Sequence, residues 1–186
     1  MAITVCGNCI NFGSQSICVD PAGIYVSGRF DFFGCTVKTQ AQGVLSGYSS
    51  GGYRPTASDV IEKFPFASDG PSTDVGNLTL ARGGAAGQSS TVSGYTSGGG
   101  YPYVNPIDKF PFASDSNATD VGDLTIARGA PAGQSSTVSG YSSGGRPSHP
   151  SGVTNRIDKF PFASDTNATD VGNLTAGITT AAGQQV

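Results

Sequence analysis

The chain has 186 residues and a formal net charge of -3, and only 12% of its residues are charged. That balance supplies no basic footprint for nucleic acid and no polybasic patch for an anionic membrane surface. With 28 glycines, no tryptophan and a single methionine, the composition is turn-rich and strand-rich rather than helical, and the glycines follow no three-residue collagen period.

No apolar run approaches the roughly 18 residues of a membrane-spanning helix. The start, Met1-Ala2-Ile3-Thr4-Val5-Cys6, lacks the basic and apolar regions of a secretory signal, so a soluble cytoplasmic protein, or one that leaves the cell inside a virus particle, is expected. Residues 1–43 read as a small N-terminal antiparallel sheet. Its strands fall at 3–5, 16–19, 24–33 and 35–39, with an Asp20-Pro21-Ala22-Gly23 turn. A sheet this small is marginal alone and is expected to anchor on something else.

All four cysteines lie in this region. Cys6-Gly7-Asn8-Cys9 is a C-x-x-C, but Cys18 and Cys35 are too widely split to form the second pair of a standard zinc site. A zinc site at Cys6, Cys9, Cys18 and Cys35, disulfides, and small buried thiols all remain compatible with the spacing. No cofactor is expected.

Residues 44–186 are three repeats, about 44–92, 93–138 and 139–186. Lys63-Phe64-Pro65-Phe66-Ala67-Ser68-Asp69 returns unchanged at 109–115 and 159–165, with a period of about 46–50 residues. Each repeat also carries a Ser-Gly-Tyr-x-Ser-Gly-Gly block beginning at Ser46, Ser93 or Ser139. A Thr-Asp-Val-Gly block starts at Thr73, Thr119 or Thr169, and an Ala-Gly-Gln block at Ala86, Ala132 or Ala182. Strand alternation places Phe64 and Phe66 on one face and Ile61 and Lys63 on the other. The pairs Phe64 and Phe66, Phe110 and Phe112, and Phe160 and Phe162 are therefore the expected repeat core, each ring contributing roughly 1.5–3 kcal/mol when fully buried. Pro65 marks an edge strand or a strand end. The acid-lysine pairs Glu62-Lys63, Asp108-Lys109 and Asp158-Lys159 read as a solvated rim. Gly-Gly supplies positive φ or close backbone approach. The run Asp115-Ser116-Asn117-Ala118-Thr119-Asp120 departs from a calcium loop and reads as side chains closing turns.

Length varies at one place only, between Gly-Gly and the Ile-acid-Lys strand. Insertions gathered at one point of each repeat map to loops on one face, often the binding face. These loops carry Tyr53, Arg54, Tyr101, Tyr103, Arg146, His149 and Arg156, the candidate binding residues, although they also suit plain solvated connections. No nucleophile and base stand together with an orienting group, so no catalytic residue is assigned and the chain is read as non-enzymatic.

A strand ending in Gly-Gly (Tyr48 to Gly52), a variable loop, and a strand with aromatics (Ile61 to Phe66) follow the order of a kelch repeat. The array resembles a divergent kelch-like β-propeller repeat protein, with Arg82 and Arg128 where a kelch repeat turns to its next blade. It lacks tryptophan, has Gly177-Ile178 where the other repeats have Ala-Arg, and has three repeats where propellers have about 4–8 blades. The resemblance implies an all-β array completed by oligomerisation, as a homo-oligomer that pools blades or as a shaft.

The wording of the repeat is also similar to repeats of marine phage and environmental structural proteins. That likeness covers 44–186 and implies a structural component of a virus (phage) particle. Such a component would be an appendage or tail-fibre-like protein, or a capsid decoration. It would sit in the virion with copies of itself or other virion proteins and reach surface glycans through its loops. A soluble, extracellular carbohydrate-binding module is the alternative, since tyrosines in the loops suit stacking on sugars. Neither reading includes nucleic-acid binding or membrane insertion.

Overall fold

The computed structural model describes residues 3–6, 9–12, 15–20, 23–27, 46–100, 102–148 and 152–184, the first four segments by their backbone alone. The described chain is all-β, built from antiparallel sheets without a helix, and it divides into two compact units, Met1–Gln40 and Ala41–Val186.

The first unit contains β1 (Ile3–Cys6), β2 (Cys9–Phe12), β3 (Gln15–Asp20) and β4 (Gly23–Ser27), an antiparallel meander in chain order. The sequence reading missed β2, whose Cys-Ile-Asn-Phe is flanked so closely by glycine that it resembles a turn. Residues 28–45, including the expected strand at 35–39, lie outside the described residues.

The second unit holds the repeats. Its strands are β5 (Ser46–Ser50), β6 (Tyr53–Arg54), β7 (Thr56–Ala57), β8 (Val60–Pro65) and β9 (Thr73–Asn77), then β10 (Ala86–Ser89), β11 (Ser93–Ser97), β12 (Pro106–Pro111) and β13 (Thr119–Asp123), and then β14 (Arg128–Gly129), β15 (Ala132–Ser135), β16 (Ser139–Ser143), β17 (Arg146–Pro147), β18 (Arg156–Pro161) and β19 (Thr169–Asn173). Three sheets follow one plan: β5-β8-β9, β10-β11-β12-β13 and β15-β16-β18-β19. The Ala-Gly-Gln block is thus the leading strand of the following sheet, not the tail of the preceding one. The Phe-Pro-Phe strand is internal and ends at its proline, where a missing N–H costs no ladder bond.

The middle sheet is covered on both faces, and the first and third sheets are each covered on the face that meets it. Toward a preceding repeat a sheet presents the acid and the phenylalanines; toward a following one, its tyrosine, isoleucine and leucine. Phe110 packs with Ile61, Leu78 and Ala118, while Phe160 packs with Tyr95, Ile107, Leu124 and Ala168. Tyr48 stacks on Phe112 (ring centroids 4.9 Å apart) and Tyr95 on Phe162 (4.8 Å). Phe110 and Phe160 are buried, Phe112, Phe162 and Phe64 are half-buried, and Phe66 is exposed.

Two-sided cover corrects the reading of the acid-lysine pairs. The alternation that turns Phe110 toward the preceding repeat turns Asp108 there too, so Asp108 and Asp158 are fully buried while the lysines stay at the rim. Arg82 Nη2 reaches Asp108 Oδ2 at 3.1 Å, and Arg128 Nη2 reaches Asp158 Oδ2 at 3.0 Å. Thr79 donates its backbone N–H and its hydroxyl to Asp108 at 2.8 and 2.7 Å, and Thr125 does the same for Asp158. Each guanidinium also donates to a carbonyl of its neighbouring sheet, Thr96 or Ser142. Burial pushes both arginines below the ordinary guanidinium pKa, with Asp108 and Asp158 acting in the opposite direction. The rim pairs Lys63–Asp115 (3.2 Å) and Lys109–Asp165 (2.9 Å) also cross between repeats, and donation to those carboxylates raises both amines.

Removing one partner of such a buried pair leaves an uncompensated charge. Asp158→Ala or Arg128→Met is expected to lower stability by about 3–5 kcal/mol in urea denaturation. The paired change Arg128→Met with Asp158→Leu is expected to lose much less than the sum of the two single changes.

Candidate functional site: a groove on the loop face

The variable loops differ in length but are pinned alike. Ser58, Val104 and Thr154 each donate their N–H to the carbonyl of the second glycine of their Gly-Gly (Gly52, Gly99 and Gly145), at 2.8–3.1 Å. Their own carbonyls accept from Arg82, Arg128 and Ile178. The first glycine of each pair, Gly51, Gly98 or Gly144, has φ between 64° and 70°, the left-handed turn that Gly-Gly was expected to supply. Extra residues therefore change what projects from a loop and leave its base in place.

Between the loops runs a column of turns, one per repeat: Gly83-Gly84, Gly129-Ala130 and Thr179-Thr180. The second residue of each turn is left-handed, with φ of 58°, 52° and 57°. Ala130 donates its N–H to Gly84 O (2.7 Å), and Thr180 donates to Ala130 O (3.0 Å), so the column is hydrogen-bonded along the array. For Ala130 and especially β-branched Thr180 this conformation is strained, and the bonds between repeats hold it.

The column floors a groove of about 350 Å³ whose walls are Tyr53, Tyr103 and Arg146, one residue from the variable loop of each repeat. Tyr53 lies against Gly83 and Tyr103 against Gly129, so closely that a methyl group on either glycine would collide with the ring. Tyr53 also donates its hydroxyl to Gly100 O at 3.3 Å. Tyr53 and Arg146 are exposed, and Arg146 has no carboxylate partner among the described residues. The groove therefore offers two aromatic rings and a free guanidinium over a backbone floor.

Of the seven candidate binding residues, the structure brings Tyr53, Tyr103 and Arg146 together. Arg54 is bound instead to Glu62 at 2.6 Å and Arg156 to Asp170 at 3.3 Å, both on the surface and neither lining the groove. Tyr101 and His149 lie outside the described residues. The floor was missed because Arg-Gly-Gly, Arg-Gly-Ala and Ile-Thr-Thr share a backbone conformation and not a composition.

Side chains of the aspartate-rich turns close on backbone, as expected: Asp74, Asp120 and Asp170 each accept from the N–H two residues on. Asn117 and Asn167 reach across to accept from the backbone of the preceding repeat, at Asn77 and Asp123. In the N-terminal sheet, Cys9 on β2 lies opposite both Cys6 on β1 and Cys18 on β3, so three of the four cysteines form one row across the strands. Cys35 is outside the described residues.

No protein-family model matches the chain, and no curated protein is significantly similar to it.

Ala130→Gly relieves the left-handed strain without touching the groove walls. It is expected to raise stability by up to about 1 kcal/mol in urea denaturation.

Proposed function

We propose that the chain is a non-enzymatic structural and binding protein, carried on a virus particle as an appendage or capsid-surface component, whose loop-face groove takes a saccharide. The observation that carries the binding reading is the convergence of Tyr53, Tyr103 and Arg146, from three successive repeats, on one groove. Tyrosine rings give flat apolar surface on which a sugar ring stacks, with a hydroxyl at the rim for its polar edge. An unpaired guanidinium beside them donates to sugar hydroxyls or to the carboxylate of an acidic sugar. Among the described residues, the groove lining is tyrosine, arginine, threonine and small residues, a set suited to stacking and hydrogen bonding. The virion setting is supported by composition: low charge and Gly/Ser/Thr-rich repeats.

Glycan-array screening followed by titration of the best saccharide tests the binding reading. Tyr53→Ala and Tyr103→Ala are each expected to weaken binding by about tenfold, given the stacking energy of an aromatic pair. A flat array response overturns it. The virion setting is checked separately by mass spectrometry of purified particles, and absence of the chain there removes that setting.

A further inference from the structure

The two end faces of the array are complementary halves of a junction that the chain builds twice within itself. On the first repeat, Phe64 is half-buried and Phe66 is 53% exposed, whereas beneath a preceding repeat the counterparts of Phe64, Phe110 and Phe160, are buried and those of Phe66, Phe112 and Phe162, are half-buried. On the third repeat, Ile157 and Leu174 are half-buried, whereas Ile107 and Leu124 are covered by a following repeat. The inner junctions show what each open face accepts: the phenylalanine face accepts the tyrosine-isoleucine-leucine face, and the reverse.

We propose that a second copy of the chain covers these faces head to tail, with the first repeat of one copy seated on the third repeat of the other. Three observations agree. Among the described residues Tyr141 has no ring partner of the kind Tyr48 and Tyr95 find in Phe112 and Phe162, and Phe66 is the exposed counterpart of those phenylalanines. Lys159 has no carboxylate partner among the described residues, and Asp69 has no lysine, while Lys63–Asp115 and Lys109–Asp165 are paired across the inner junctions. The block Ala182-Gly183-Gln184 repeats the leading-strand sequence and abuts Gly133, yet it pairs with no sheet among the described residues. The sheet β5-β8-β9 is the one without a leading strand among the described residues. In the register of β10 on β11, Gln184 of one copy lies opposite Tyr48 of the other.

The contact between copies is the weaker version of the junction. Ile178 stands where Arg82 and Arg128 stand in the other repeats, and Glu62, already paired with Arg54 in its own repeat, stands where Asp108 and Asp158 do. Pro71 replaces the bridging asparagines Asn117 and Asn167. The packing and the lysine pair remain; the buried ion pair and the asparagine bridge do not. Association is therefore reversible and concentration-dependent. Because the contact is heterologous, it closes into a ring or continues as an open chain according to its rotation.

Light scattering of the full chain over a concentration series tests this. The wild-type mass is expected to rise above one chain. Phe66→Asp and Tyr141→Asp are each expected to weaken association by at least about tenfold. Mixed together, the two variants have one intact face each and are expected to form a one-to-one dimer and nothing larger. Circular-dichroism melts establish that each variant is folded. If one is not, the rim charges serve instead: Asp69→Lys weakens association, and adding Lys159→Asp in the same chain restores it. A wild-type monomer at every concentration overturns the proposal and assigns the face to a segment of the same chain. Assembly of either single variant as tightly as wild type, a mixture that stays monomeric, or failure of the charge swap to restore association also overturns it.

Discussion

Every sheet in the repeat array has two apolar faces, and this demand for cover on both sides shapes the rest of the molecule. A sheet with one wet face would show polar and apolar residues alternating along each strand. Here phenylalanines point one way and tyrosine, isoleucine and leucine the other, so no repeat buries its own core. Stability comes from the junction between neighbours, as in other stacked-repeat proteins. The aromatic-on-apolar contact supplies the area. The Arg–Asp pair inside it supplies geometry: each carboxylate is held by a guanidinium and two donors of a threonine, so one repeat seats on the next in a single register. Net stabilisation from a buried pair is small at best, and Nε and Nη1 of both arginines are buried without a hydrogen-bond partner. Its main contribution is to specificity of seating.

The groove is a consequence of that seating. Tyr53, Tyr103 and Arg146 come from different repeats, and only a fixed rotation between neighbours brings them to one wall. The floor depends on it as well, since the left-handed residues Ala130 and Thr180 are held by hydrogen bonds to the preceding repeat. Groove-facing residues vary in type because their loops are pinned below them by backbone bonds that any residue can make.

The repeat and its strand periodicity were legible from the sequence, because Phe-Pro-Phe, Gly-Gly and Asp-Val-Gly each impose a local backbone rule. The burial of Asp108 and Asp158 was not: alternation placed them on the phenylalanine face, but acidity next to lysine looked like surface. Only the reach of Arg82 and Arg128 from the adjoining repeat changes that, and such a long-range partner leaves no local pattern. The assignment of Ala-Gly-Gln to the following sheet was hidden for a similar reason, since a repeat has no intrinsic first strand. Three of seven loop residues converge on the groove; Arg54 and Arg156 found carboxylates nearby, which loop composition alone does not reveal.

The departures at the two ends fit the proposed contact between copies on energetic grounds. A buried ion pair requires two charges to be stripped of water, at several kcal/mol each after relaxation. Within one chain the connecting strands hold the two repeats together, and the pair is tolerated. Between separate copies the same desolvation would be added to the loss of translational and rotational freedom, about 4–15 kcal/mol. An end face that must open and close is better without it. Ile178 in place of arginine and Glu62 neutralised by Arg54 remove both halves of the pair at once. Losing only one half would leave either a carboxylate or a guanidinium stranded in an apolar contact.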